Sequence, residues 1–259
     1  MKALLKMNAA LVTALALAVG GYLLAKGRAD ILRMVTSDGA ELGALIWNTI
    51  VTVIVSTLAA TATGFAAALG LVGWLPRGSR TGRAIFALID LGAALPAIVY
   101  GLFGFAVFCQ HQMSLRAGIA TLSFMLAPML AGGFTAALRG LDPALAESAA
   151  ALGLSRRAVI LRVLVPAAWP ALAASAMAAL GRGLADAGLL LFVAGTSPRL
   201  AGAFLEMPGA TLSVRVFELA LNEPGKEGEA FATAAILFFL SLGAQAALAS
   251  FSKQRTPNP

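Results

Sequence analysis

The sequence predicts an all-α integral membrane protein of about six transmembrane helices. Two observations carry this. The chain is 59% hydrophobic and 12% charged, with a mean hydropathy of +0.87, whereas a soluble domain of this length needs far more polar surface. Its apolar residues also fall in continuous blocks of bilayer length, which argues for helices and against the alternation of a β-barrel.

The formal charge of +7 does not point to nucleic acid. Lys and Arg are scattered over short loops without a basic run or an aromatic platform, as the loop bias of membrane proteins predicts. Cys109 is the only cysteine, so an internal disulfide is excluded, and no cluster of metal-ligating residues is evident.

The first apolar block, Met7 to Ala25, is long enough to span and lacks a clear cleavage site, so it is expected as a first helix. The second, Leu42 to Leu75, is too long for one upright span. Trp47 and Trp74 suit the two interfaces and leave residues 42–46 in an interfacial turn. The third block, Ala84 to Phe108, contains Asp90 and Pro96, with a structural partner role expected for Asp90. His111 lies in the short outer loop that leads to the fourth block, Ala117 to Leu138, interrupted by Pro128. The fifth block, Ala167 to Ala194, carries Arg182 and Asp186. A long acidic loop from Gly195 to Glu229 precedes the sixth, Ala230 to Phe251.

With both termini inside, the inner segments hold Lys2, Lys6, Arg77, Arg80, Arg83, Arg139, Arg156, Arg157, Arg162, Lys253 and Arg255, or 11 basic residues against 7 outside. That bias favours cytoplasmic termini. The division it suggests is an N-terminal helix with a short outer segment, residues 1–33, and a transmembrane domain, residues 34–259, that includes an inner loop at 139–166.

That loop reads as two short helices. Asp142 caps the first, Pro143 occupies its first turn, and Gly153 stops it. Ser155 caps the second, which bears Arg156, Arg157 and Arg162 and closes at Pro166. The residues alone fit either a docking knob for another protein, with Glu147 meeting a basic partner, or an amphipathic hairpin anchored in the interface by arginines.

Glu147-Ser148-Ala149, Gly153, then nine residues and Val163-Leu164-Val165-Pro166 resemble the E-A-A…G…I-x-L-P signature of bacterial ABC importer permeases. Ser replaces one Ala, and Val stands for Ile and Leu. The resemblance implies that the loop is a coupling helix seated on a separate ATP-binding subunit, with Glu147, Ala149, Gly153 and Pro166 as the coupling residues. It also implies a homologous permease partner, a periplasmic or extracytoplasmic substrate-binding protein and a bacterial inner-membrane location.

Leu95-Pro96-Ala97-Ile98-Val99-Tyr100-Gly101-Leu102-Phe103-Gly104 is similar to the P-S-I-V-Y-G-L-F-G run of phosphate-specific transport permeases, the second of that system's two membrane subunits in particular. Asn48-Thr49 and the pattern from Leu212 to Leu240 agree, so the resemblance covers about Ile31 to Phe251. Where that family shows A-R-x-x-G-E-T-A-P-L-L, this chain has Arg182 and, in place of the glutamate, Asp186, and it lacks the Thr and Pro. Read physically, an arginine and an aspartate within a span mark a pathway. Four residues apart, they are expected on one helix face, able to pair with each other, and Arg182 suits an oxyanion. The alternative is an ion pair that only locks helix packing.

The Ala187-Gly188 that follows is closer to permeases for molybdate, tungstate or sulfate, which leaves another oxyanion as the nearest alternative. A membrane enzyme lacks its catalytic groups here. A secondary transporter or channel would need its own energy coupling or an internal repeat. No G-x-x-x-x-G-K-[ST] loop occurs, so ATP and Mg are expected in the partner ATPase and no cofactor in this chain.

Overall fold

A computed structural model describes residues 2–75, 79–109, 112–202 and 205–254. Arg77, His111 and Arg255 lie outside these, as do the side chains of Lys2, Lys6 and Lys253. Among the described residues the chain folds as α1 (Lys2–Thr36), α2 (Gly39–Trp74), α3 (Arg80–Ala94), α4 (Ala97–Phe108), α5 (Leu115–Arg139), α6 (Pro143–Ala151), α7 (Arg156–Val159), a π-helical turn at Ile160–Leu164, α8 (Val165–Ala185), α9 (Leu190–Val193), α10 (Leu212–Leu221) and α11 (Glu227–Gln254). No strand occurs among them. Five helical stretches are long and apolar enough to cross a membrane, and a sixth arises if the bent pair α3–α4 is one span.

The helix boundaries correct several expectations. Residues 42–46 form no interfacial turn. They lie inside α2, where Leu42, Ala44 and Leu45 are buried. Pro128 does not interrupt α5. Its ring lies against Gly92, where an added Cβ would come within 3.2 Å of it, and membrane helices tolerate such a proline when neighbours fill the gap. The third block is two helices bent by 93°. Leu95, driven out of the helical region by the following proline, takes φ −61° and ψ 139°. Tyr100 in α4 donates its hydroxyl to the Gly92 carbonyl in α3 at 2.7 Å and ties the two arms together.

α5 lies at the centre, packed against α2, α3, α4, α8 and α9. Leu122, Leu126, Leu130 and Leu138 are buried along it. In lipid, burying apolar surface gives little drive for helix association, so close van der Waals packing must supply it. Gly64 meets that need on α2, since a Cβ there would lie 2.9 Å from the Leu130 Cβ. α1 stands outside this core and packs on α11. Gly27 lets the two backbones approach, because a Cβ there would lie 2.5 Å from the Ala232 nitrogen.

Candidate functional site

Two of the sequence-derived sites lie at opposite places in the bundle. The first is built on α6. Asp142 accepts a hydrogen bond from the Ala144 N–H (2.9 Å) and Pro143 sits in the first turn, as expected. At the other end the Leu154 N–H donates to the Ala149 carbonyl (3.3 Å) and the Gly153 N–H to the Ala150 carbonyl (2.9 Å). With Gly153 at φ +81°, this pair of bonds is a Schellman stop, the conformation that favours glycine. α6 is therefore closed at both ends by its own residues.

Its faces differ. Ala149 is buried and seats the helix on the core, while Glu147 and Ser148 are exposed. Glu147 has no ion-pair partner among the described residues. Beneath α6 lies a cavity of about 300 Å³ between it, Val72 on α2, Leu138 on α5 and Ile160 in the π-helical turn. Arg139 steadies its floor by donating to the Leu71 carbonyl at 3.0 Å in the last turn of α2.

Pro166 does not close the second loop helix. Ser155 caps α7 as expected, accepting from the Ala158 N–H at 3.4 Å. From there the helix runs unbroken from Arg156 to Ala185. Pro166 has no N–H and crowds the carbonyl four residues before it. The turn ahead of it widens instead, with the Val165 N–H donating to the Ile160 carbonyl, five residues back.

The second site is the polar end of α8, where the expected geometry changes. α8 stops at Ala185, and Asp186 is extended, with φ −83° and ψ 99°. Arg182 and Asp186 therefore do not share a helix face, and they form no ion pair. This removes the reading of a locking salt bridge. The Asp186 carboxylate accepts the Leu189 N–H at 3.0 Å, and its carbonyl accepts the Ser213 hydroxyl at 3.3 Å. Arg182 is exposed, in the last turn of α8, and has no ion-pair partner among the described residues. α4, which carries the Y-G-L-F-G run, packs on α9 just beyond Asp186. Gly101 is what allows it, since a Cβ there would meet the Leu189 backbone at 3.2 Å. Asp90, by contrast, is exposed without an ion-pair partner among the described residues.

Sequence reading missed the order within the long loop after Gly195. Asn48 is fully buried and donates to the carbonyls of Arg199 (2.8 Å) and Ala210 (3.2 Å), while the Leu212 N–H donates to the Thr49 hydroxyl (2.8 Å). The loop folds back into the protein and delivers α10. The Thr211 cap and the seven-residue spacing of buried Leu212 and Leu219 were the legible signal for it. Beside α10, Arg215 joins Glu41 (3.3 Å), Glu218 (3.4 Å) and Glu223 (2.5 Å), Lys226 joins Glu223 (2.7 Å), and Arg33 pairs with Glu229. The hydrogen bond from Lys226, with Arg215 adding to it, holds the Glu223 carboxyl below its ordinary range. The same bond raises Lys226.

Residues 60–253 match the family described as binding-protein-dependent transport system inner membrane component. A phosphate transport system permease protein PstA homolog of Mycoplasma pneumoniae is 31% identical over 188 residues, 68% of this chain and 28% of that protein. The PstC phosphate transport permease of Xylella fastidiosa is 30% identical over 220 residues, 74% of this chain and 66% of that protein. This chain spans less than two thirds of the length of either relative. A chain of the MetNI methionine ABC transporter, solved in inward-facing conformations, superposes with a TM-score of 0.68 at 19% identity, over 84% of this chain and 97% of that one. An amino acid ABC transporter solved with histidines gives 0.63 at 18% identity, over 86% and 98%. At these identities the likeness to the solved structures is one of fold.

Proposed function

This chain belongs to the family of binding-protein-dependent transport system inner membrane components, and from that membership we propose that it is the permease subunit of an ATP-driven importer of inorganic phosphate. The observation that carries the coupling half is α6, a short helix closed by its own caps that holds Glu147 outward with no ion-pair partner among the described residues. A rigid exposed carboxylate of this kind suits a basic cleft on an ATP-binding subunit. The Schellman stop at Gly153 keeps α6 separate from the helix that follows. Pro166 and the π-helical turn continue that helix into the membrane, so a push on α6 reaches α8 through one continuous rod. Both termini and the α6 end then face the cytoplasm. An extracytoplasmic binding protein delivers the anion at the α10 end, and a homologous permease completes the pathway. Residues 34–259 act as the transport domain, with the N-terminal helix as an added span.

Arg182 is the anion-contacting group in this reading, because it is exposed, unpaired with Asp186 and set in the last turn of α8. Asp186 positions the α8–α9 turn that presents it. The names of the relatives at about 30% identity support phosphate. Radiolabelled phosphate uptake by cells carrying the complete transporter tests both halves. Arg182→Gln is expected to abolish uptake while the ATPase subunit still co-purifies, and uptake that survives removes the assignment. Competition of uptake by molybdate, tungstate or sulfate more strongly than by phosphate would transfer the permease to that oxyanion.

A further inference from the structure

At the α6 end, the close of α2 and the start of α7 enclose a groove of about 750 Å³. Both walls lie at span ends, since α2 finishes its crossing at Trp74 and the α7–α8 rod begins its own at Arg156. The groove therefore sits at the boundary between hydrocarbon and water. Trp74, 86% exposed, stands at its mouth where an amphipathic indole is favoured. Arg156 and Arg157 are exposed, and neither has an ion-pair partner among the described residues. Arg156 shares the neighbouring cavity with Asp142 and Glu147 yet pairs with neither.

The rest of the groove is apolar and lacks side chains where a ligand would lie. A Cβ on Gly70 would meet nothing within 4 Å, and one on Gly73 would touch only the Ile160 side-chain tip at 3.3 Å. Two glycines three residues apart leave a channel down α2, with Leu161 along its side. Two unpaired cations over an apolar channel at a membrane boundary require a ligand that is both anionic and long-chained. We propose that this groove binds an anionic diacyl phospholipid, with its phosphate at Arg156 and Arg157 and one acyl chain along Gly70 and Gly73. Free inorganic phosphate would answer the arginines and leave the channel empty. A soluble protein partner such as the ATPase subunit would meet the arginines from the aqueous side without filling a channel that opens to lipid, and displacement by a co-reconstituted permease partner would likewise overturn the assignment. The assignment is independent of the transported cargo.

Trp74 is a built-in reporter. Full-length chain carrying Trp47→Phe and Trp169→Phe keeps it as the sole tryptophan and is placed in nanodiscs containing brominated phosphatidylglycerol or brominated phosphatidylcholine. Basic residues near an anionic surface each strengthen binding about fivefold, so half-maximal quenching is expected at a mole fraction on the order of tenfold lower for the glycerol lipid. Arg156→Gln with Arg157→Gln should erase that preference, Lys at both positions should restore it, and Gly70→Leu should block quenching with both arginines in place. Equal quenching by the two lipids overturns the proposal without any variant. Displacement by millimolar inorganic phosphate would make the arginines a free-anion site. Displacement by added ATPase subunit would make the groove part of a protein interface, and either result overturns the lipid assignment.

Discussion

At the end of the bundle where α10 lies, Arg215 is shared by Glu41, Glu218 and Glu223, and Arg33, Arg116 and Lys226 each meet an acid. At the α6 end Glu147, Arg156, Arg157 and Arg162 are exposed, and none has an ion pair among the described residues. Buried polar atoms follow the same contrast, because Asn48 and Thr49 satisfy a folded-in loop at one end while α6 stands over a cavity at the other. Among the described residues the ion pairs gather at the α10 end, while the α6 end presents a self-capped frame whose charges face outward. The difference teaches where this chain depends on other molecules.

If that contrast is right, substitutions at the two ends fail in different assays. Glu147→Lys is expected to weaken capture of the ATPase subunit by at least about a hundredfold, because like charges brought together cost several kcal/mol. Uptake should fall with it, while the melting temperature of the purified chain stays unchanged. A matching loss of thermal stability would show that Glu147 serves the fold. Asn48→Leu should do the reverse and destabilise the purified chain by about 1–3 kcal/mol, because the buried Ala210 carbonyl and the part-buried Arg199 carbonyl lose their donor. Thermal unfolding in detergent measures it, and an unchanged melting curve would show that the bonds from Asn48 do not hold the α10 end. Gly153→Ala forces an L-residue into the left-handed region and should cost about 1–2 kcal/mol locally. Faster amide exchange in α6 than in α5 is the expected readout.

The smallest effect concerns pH. Glu223 has its carboxyl lowered, so its contribution is complete above the ordinary carboxylate range and is lost as pH falls through that lowered value. Lys226 is raised, so its contribution is complete below the ordinary lysine range and fades only as pH rises through the raised one. Solvent screening limits each to within about 1 kcal/mol. Melting temperature measured against pH should therefore show a shallow loss at both extremes that Glu223→Gln flattens on the acid side.

Much of the coupling segment was legible because its hydrogen bonds are local. Asp142, Ser155 and Gly153 satisfy groups within five residues of themselves, so side-chain type and spacing were enough to place the caps. The polar end of α8 was not legible in the same way. A four-residue spacing implies a shared face only while the helix lasts, and the helix ends at Ala185. Pro96 and Pro166 make the same point from opposite sides. One marks a 93° break and the other lies in an unbroken rod, because a neighbouring π-helical turn accommodates the second.

Hydropathy alone dictates that the apolar blocks are helices, since a backbone in lipid must satisfy its own hydrogen bonds within each segment. The sequence by itself also determined where the caps of α6 and α7 would fall. Tertiary packing alone sets the inward fold of residues 195–202 and 205–211 onto Asn48 and Thr49, the lack of an ion pair between Arg182 and Asp186, and the gathering of the described ion pairs at one end. Those outcomes depend on partners more than a hundred residues away, or on where a helix stops against its neighbours, and no local pattern encodes either.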